Sequence, residues 1–329
     1  MSGPGRRAPV VEPRRRTDAS LAAIRYAFPE GIRTLPELAA AGALRSDPAV
    51  LAGFGFEHVR VAVDESPYTL ASRAATSLLE ATGVDPASID LLIYGGAPGP
   101  LAFAAAAMPQ SVPVLRGTDR FLFPASRLQH ELGLVRATTL GLDQLACTTL
   151  FAAVRIARAL IGAEGLGRAL CVSAEFSPPD AGREHIYNCT SDAACAVLVE
   201  RGGARNRIVA GRTVTKGYYW RTDALQEQIV ASYFPTAKHV VERTLADAGW
   251  DAADVDWVIP HNVSRRSWQL LLGLLRLPNA RLWDRNIARD GHTLAGDNFI
   301  NLADALEAGA LEAGARVLLF SYGYGAHWT

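Results

Sequence analysis

Leu142-Asp143-Gln144-Leu145-Ala146-Cys147-Thr148-Thr149 is the stretch that decides how this chain reads. The apolar positions after it, Leu150, Phe151, Val154, Ile156, Leu160 and Ile161, have helical character. A strand or loop thus delivers a thiol to the first turn of a buried helix. A helix N-terminus carries roughly half a positive charge and several unpaired N–H groups. Both favour thiolate, the nucleophilic form of cysteine. Downstream, Pro260-His261-Asn262 and Gly291-His292-Thr293 each bring a histidine. Together they point to a Cys-His enzyme that holds an acyl group as a thioester.

Working outward, strands alternate with helices. Ser66 to Thr82 reads as an amphipathic helix, with Leu70, Ala74, Ala75, Leu78 and Leu79 near helical spacing. Ile89 to Tyr94 reads as a buried strand. Ala125 to Leu132 reads as a helix capped by Gly133. Further strands are expected at 137–142, 169–173, 195–200, 208–212, 255–259 and 317–321. Helices are expected at 224–248 (broken near Pro235), 264–275 and 299–308. The proline-studded stretch 97–124 contains the apolar tract Phe103 to Met108. It reads as a functional loop or interface element. Alternation of this kind means α/β layers with buried sheets.

The two halves repeat one another. Gly83-Val84-Asp85-Pro86-Ala87-Ser88-Ile89-Asp90 joins a helix to a strand, and so does Gly249-Trp250-Asp251-Ala252-Ala253-Asp254-Val255-Asp256. A repeat of this size points to a duplicated fold with its site at the junction. The expected organisation is an arm at 1–17, a half at 18–205 carrying the nucleophile, and a half at 206–329 carrying His261.

Composition narrows the function classes. The 329 residues carry 33 basic and 33 acidic side chains, so bulk charge gives no argument for nucleic acid or an anionic membrane surface. No uninterrupted apolar run has the length of a membrane span. The four cysteines, 147, 171, 189 and 195, lack C-x-x-C spacing. Reduced thiols and a cytoplasmic protein are expected. Arg6, Arg7, Arg14, Arg15 and Arg16 lie in a Pro- and Gly-rich stretch without the apolar core of a signal peptide, and read as a solvated, disordered arm. No metal-ligand spacing is present, and no cofactor is expected.

From about residue 20 onward the chain resembles the thiolase superfamily, most closely its ketoacyl synthase III branch. The segments that carry the resemblance are Ser88-Ile89-Asp90-Leu91-Leu92-Ile93, Gln129-His130-Glu131-Leu132-Gly133, Asp143 to Thr149, Asp256 to His261, and Gly291-His292-Thr293-Leu294-Ala295. The resemblance implies a five-layered αβαβα fold of two duplicated halves, usually a homodimer. It also implies a cysteine acylated from coenzyme A or an acyl carrier protein. Gly323 and Gly325 match the family's C-terminal glycine loop, which supplies an oxyanion-hole N–H beside that of Cys147. The region of Phe103 and Met108 matches one that contributes to the family's acyl pocket and dimer contact.

The departures from the family pattern carry as much information. Where the family has His-Gln-Ala-Asn, this chain has His261-Asn262-Val263-Ser264. Where it has Gly-Asn-Thr-Ser, this chain has Gly291-His292-Thr293-Leu294, with Asp297-Asn298 following. Loss of the asparagine amide removes a donor for a malonyl-derived enolate, and such a donor is worth ~3 kcal/mol of barrier. A carboxylate only accepts hydrogen bonds, so Asp297 is no substitute; it can instead orient a histidine. The expected triad is Cys147–His261–Asp297. His292 is expected either to replace the asparagine as an oxyanion donor or to support a neighbouring catalytic group from behind, with Asn262 and Asn298 as nearby amide donors. A small acyltransferase branch of the family has a Cys-His-Asp arrangement. The family's tryptophan for the coenzyme A adenine is missing from Gly53 to Arg60, which favours a carrier-bound donor. Ser191-Asp192-Ala193-Ala194-Cys195-Ala196 replaces a glycine-rich segment.

The expected activity is acyl transfer to a small-molecule or carrier-bound hydroxyl, amine or thiol, without decarboxylation. The Ala- and Arg-rich composition and the family branch associate it with specialised metabolism, such as polyketide assembly. Decarboxylative condensation is the alternative, and a non-catalytic partner subunit a further one; retention of Cys147 and His261 argues against the last.

Overall fold

The computed structural model describes residues 18–96, 122–177, 182–186, 188–222, 224–277 and 281–329. The arm 1–17 and most of 97–124, including Phe103 and Met108, lie outside them.

The N-terminal half is built on a five-stranded sheet in the order Ala19–Ala27, Ala193–Arg201, Arg168–Glu175, Leu91–Gly95, Thr138–Leu142. The first two pairings are antiparallel and the last two parallel. Residue alternation sorts its side chains to two faces. Leu92, Tyr94, Leu170 and Val172 pack against the helices Pro67–Thr82 and Pro124–Glu131. Leu91, Ile93, Ala169 and Cys171 face a core shared with the helices Thr149–Glu164 and Asp297–Glu307.

The second half repeats the scheme. Trp257–Pro260 pairs in parallel with Val317–Phe320. Trp257, Ile259, Val317 and Leu319 turn to the shared core. Val258, Leu318 and Phe320 turn to the helices Gln226–Ala248 and Arg265–Leu275. Helix, sheet, helices, sheet, helix: these are the five layers of the thiolase fold. The duplication is visible in the backbone. Helix Pro67–Thr82 ends on left-handed Gly83 and Gln226–Ala248 on left-handed Gly249. Each then passes through a 3₁₀ turn, Pro86–Ser88 or Ala252–Asp254, into its strand.

Two expected elements differ. The helix Gln226–Ala248 runs unbroken through Pro235. Pro235 and Ala231 both lie on its exposed face, so the carbonyl that loses its i+4 partner is open to water. No strand forms at 208–212. Arg207 makes a single bridge to Ser20, and the chain then leaves to pair Val214–Thr215 with His327–Trp328. The segment Ala146–Glu164 meets the length and mean hydropathy of a membrane span. Arg155 and Arg158 interrupt it, so it does not stand out as an uninterrupted apolar run. Here Leu150, Ala153, Val154, Ala157 and Ile161 bury one face of it in the core.

Candidate active site

The nucleophile segment turns sharply. Gln144 and Ala146 adopt positive φ (63° and 46°), conformations that cost a non-glycine residue about 1–3 kcal/mol each. Local bonds hold the turn. Thr148 Oγ1 donates to the Leu145 carbonyl and Thr149 Oγ1 to the Ala146 carbonyl, each at 2.7 Å. Ser321 Oγ donates to the Cys147 carbonyl, and the His327 ring bonds the backbone of Gln144. Cys147 lies in the 3₁₀ turn Ala146–Thr148, immediately before the helix Thr149–Glu164, and is 5% exposed. Its Sγ is aimed at His292, with Nε2 at 3.3 Å.

His292 is pinned by its backbone. Its N–H donates to the Cys189 carbonyl and its carbonyl accepts from Ser191 N–H, both at 2.8 Å. Gly291 before it has φ +65°, and a β-carbon there would stand 2.8 Å from Ser191 Oγ and 3.0 Å from the Cys189 carbonyl oxygen. Only glycine fits, and the ring is thereby directed between Cys147 and Asp297.

Asp297 is fully buried and receives four hydrogen bonds. Oδ2 accepts from His292 Nδ1 at 2.5 Å and from Asn262 N–H at 2.6 Å. Oδ1 accepts from Thr293 N–H at 2.6 Å and Thr293 Oγ1 at 2.7 Å. The contiguous set is therefore Cys147–His292–Asp297, not the expected Cys147–His261–Asp297. Burial opposes charge on His292, but the Asp297 carboxylate and Cys147 overcome it and hold the imidazole pKa well above its ordinary value. The expectation of His292 as an oxyanion donor is corrected by the same bonds: both its ring nitrogens are engaged.

His261 sits apart, its ring centroid 6.3 Å from that of His292. Nδ1 donates to the Phe320 carbonyl at 3.2 Å. Nε2 is buried and has no hydrogen-bond partner among the described residues. Burial, reinforced by the positive field of His292, lowers its pKa to about 4. The ring is neutral at physiological pH.

The expected roles of Asn262 and Asn298 as substrate amides do not survive. Asn262 Nδ2 donates to the Gly291 carbonyl, and its Oδ1 accepts from Asn301. Asn298 Nδ2 donates to the carbonyls of Ile259 and Phe320. Both amides are spent on joining the two strand ends to the third motif, and neither lines the cavity.

Gly323 lies against the nucleophile turn. A β-carbon on it would stand 2.6 Å from the Leu145 carbonyl oxygen and 3.1 Å from Cys147 N. Gly325, φ +125°, lies instead against the His327 ring. Cys147, His261 and His292 open into one cavity of about 240 Å³. Its wall is mostly apolar: Ile186, Ile229, Val230, Tyr233, Phe234 and Tyr324 among others. Tyr322 completes an aromatic cluster, with ring centroids 5.4 Å from Tyr233 and 5.9 Å from Tyr324. Sequence reasoning missed these walls. The i, i+4 spacing of Ile229 and Tyr233 and the tyrosines flanking Gly323 were the available signals. The other cysteines are structural. Burial raises the Cys171 and Cys195 thiols far above their ordinary pKa and Cys189 to about 12.

Comparison with known proteins agrees with this architecture. Residues 245–329 match the family described as 3-oxoacyl-[acyl-carrier-protein (ACP)] synthase III C terminal. A beta-ketoacyl-[acyl-carrier-protein] synthase III 2 of Streptomyces coelicolor is 31% identical over 225 residues, 62% of this chain and 66% of that protein. A beta-ketoacyl-[acyl-carrier-protein] synthase III of Methylococcus capsulatus is 26% identical over 288 residues, 81% of this chain and 83% of that one. Among solved structures, 3-oxoacyl-(acyl carrier protein) synthase III of Pseudomonas aeruginosa superposes with a TM-score of 0.77. It is 24% identical, covering 94% of this chain and 96% of that one. ChlB3, described as an acyltransferase, superposes with a TM-score of 0.80 at 21% identity, covering 94% and 96%. These two structural likenesses carry the fold.

Proposed function

From the premise that the chain belongs to the thiolase superfamily and is ketoacyl-synthase-III-like, we propose that it transfers acyl groups through Cys147 without decarboxylation. The observation that carries this reading is the hydrogen-bonded line Cys147–His292–Asp297. His292 Nε2 takes the Cys147 proton, and the thiolate attacks an acyl thioester on a carrier protein or coenzyme A. Backbone N–H groups at Cys147 and in the loop of Gly323 and Gly325 receive the oxyanion. The departing thiolate takes the proton from His292, leaving an acylated Cys147. A hydroxyl, amine or thiol then attacks and gives its proton to His292, and Cys147 leaves. Asp297 accepts the Nδ1–H bond throughout and holds the ring in place.

Two features support transfer over condensation. An aspartate-bound histidine occupies the place of the family's asparagine, so the neutral amide donor for an enolate is gone. His261, with Nδ1–H committed to Phe320, presents a lone pair to the cavity rather than a donor. The names of the sequence relatives favour the second reading, decarboxylative condensation. Incubation with a malonyl thioester labelled at the free carboxyl separates the two. Transfer predicts that the label stays with the acyl product; stoichiometric release of labelled carbon dioxide establishes condensation instead. A homodimer, a cytoplasmic location and service in specialised metabolism accompany this proposal, on the resemblance alone.

A further inference from the structure

Resting on that reading, we propose that the acyl acceptor carries two hydrogen-bond donors, one that reacts and one that is bound by Nε2 of His261: a diol or hydroxy-amine rather than a simple alcohol or thiol. His261 is wholly buried, yet Nε2 lies in the cavity wall without a hydrogen-bond partner among the described residues. A carbonyl oxygen only accepts, so the bond to Phe320 places the ring hydrogen on Nδ1 and leaves Nε2 a lone pair. The field of His292 and burial keep the ring neutral, which preserves that lone pair. A buried acceptor left unmet costs free energy, so a ligand that supplies a donor is selected over one that cannot.

A malonyl enolate or carboxylate presents only acceptors to Nε2. The acyl-enzyme itself offers a carbonyl, again an acceptor. The pantetheine amides of the donor depart with its thiol once Cys147 is acylated, so in the second half-reaction the group that satisfies Nε2 enters with the second substrate. It is not the reacting O–H, whose single proton goes to His292 beside Sγ. The imidazole centroids stand 6.3 Å apart. Donors on adjacent or next-adjacent carbons have the reach to meet one ring while reacting at the other. Tyr322 Oη, also buried and without a hydrogen-bond partner among the described residues, lies in the same wall. It can donate to the oxygen of the hydroxyl that His261 receives. His261 is thus a specificity-determining residue for the acceptor, distinct from His292.

The test uses acyl-Cys147 enzyme prepared from an acyl thioester, with 1,2-propanediol and 1-propanol as acceptors. Decay of the adduct is followed by intact mass. Wild type is expected to transfer to the diol about tenfold faster at equal subsaturating concentration, the value of one hydrogen bond. The preference should collapse in His261→Asn, whose amide reaches the Nδ1 position but not Nε2. It should be largely kept in His261→Gln, whose amide oxygen reaches the Nε2 position. Far-UV and near-UV circular dichroism establish that both variants fold. If wild type shows no preference, or the asparagine variant keeps it, the assignment is overturned. Failure of wild type to form any acyl adduct overturns the underlying reading instead.

Discussion

Replacing Asp297 with asparagine probes the centre of the site. The carboxylate accepts four hydrogen bonds, two on each oxygen, all from donors: His292 Nδ1, Asn262 N–H, Thr293 N–H and Thr293 Oγ1. An amide has one oxygen. Whichever way it is turned, its NH₂ faces a pair of donors and at least the backbone N–H of that pair is left unmet. If the NH₂ faces His292, the ring must flip its tautomer and offers its hydrogen to Cys147, where a proton acceptor is needed. A charge-assisted hydrogen bond contributes about 1.5–3 kcal/mol, which converts to roughly 10- to 150-fold in acylation rate at one tenfold per 1.4 kcal/mol. Unmet buried donors cost the fold about 1–3 kcal/mol each. The raised His292 pKa adds a pH signature. That group contributes stability fully below its unfolded value near 6.5, and the contribution is lost as pH rises through the higher folded value. The difference in unfolding free energy between wild type and Asp297→Asn should therefore shrink as pH rises above about 6.5. Single-turnover acylation and urea unfolding across pH check both parts. Acylation within twofold of wild type, together with a pH-independent stability difference, would falsify the reasoning.

Other outcomes follow from single contacts. Gly323→Ala places a β-carbon 2.6 Å from the Leu145 carbonyl oxygen; the nucleophile turn must shift, and acylation should fall roughly tenfold or more while the fold persists, measured by single turnover and circular dichroism. For His261→Gln the sign is opposite to that of His292: a folded pKa lowered to about 4 makes the protein lose stability as pH falls from 6.5 toward 4. That interval corresponds to about 3 kcal/mol, and the glutamine variant should lack this slope in urea titrations at pH 4–7. Iodoacetamide on the native protein should label Cys147 alone, because Cys171, Cys189 and Cys195 are buried thiols with raised pKa. Peptide mapping that finds equal label on Cys189 contradicts that division.

Local pattern made much of this protein legible. The paired helix–turn–strand units around Asp85 and Asp251 read correctly because glycine caps and alternating burial are local properties. Cys147 was legible because a thiol before an apolar helix is a local arrangement too. The choice between His261 and His292 was not. It depends on Gly291 fitting between Val59, Cys189 and Ser191, contacts made by residues about a hundred or more positions away. Asn262 and Asn298 read as substrate ligands because sequence does not reveal that backbone carbonyls already occupy their amides. The aromatic wall from Tyr233, Phe234, Tyr322 and Tyr324 joins two segments that only tertiary packing brings together. Pro235 does not break its helix, because a proline on an exposed helical face leaves its freed carbonyl to water.

The measurement that tests the central claim most directly is the rate of Cys147 acylation, read by intact mass, in His292→Ala beside His261→Ala. With His292 as the base, the His292 variant loses the larger factor, about a hundredfold or more, and His261→Ala stays far closer to wild type in this half-reaction. The reverse order, with His261→Ala abolishing the adduct and His292→Ala forming it normally, would contradict the Cys147–His292–Asp297 assignment.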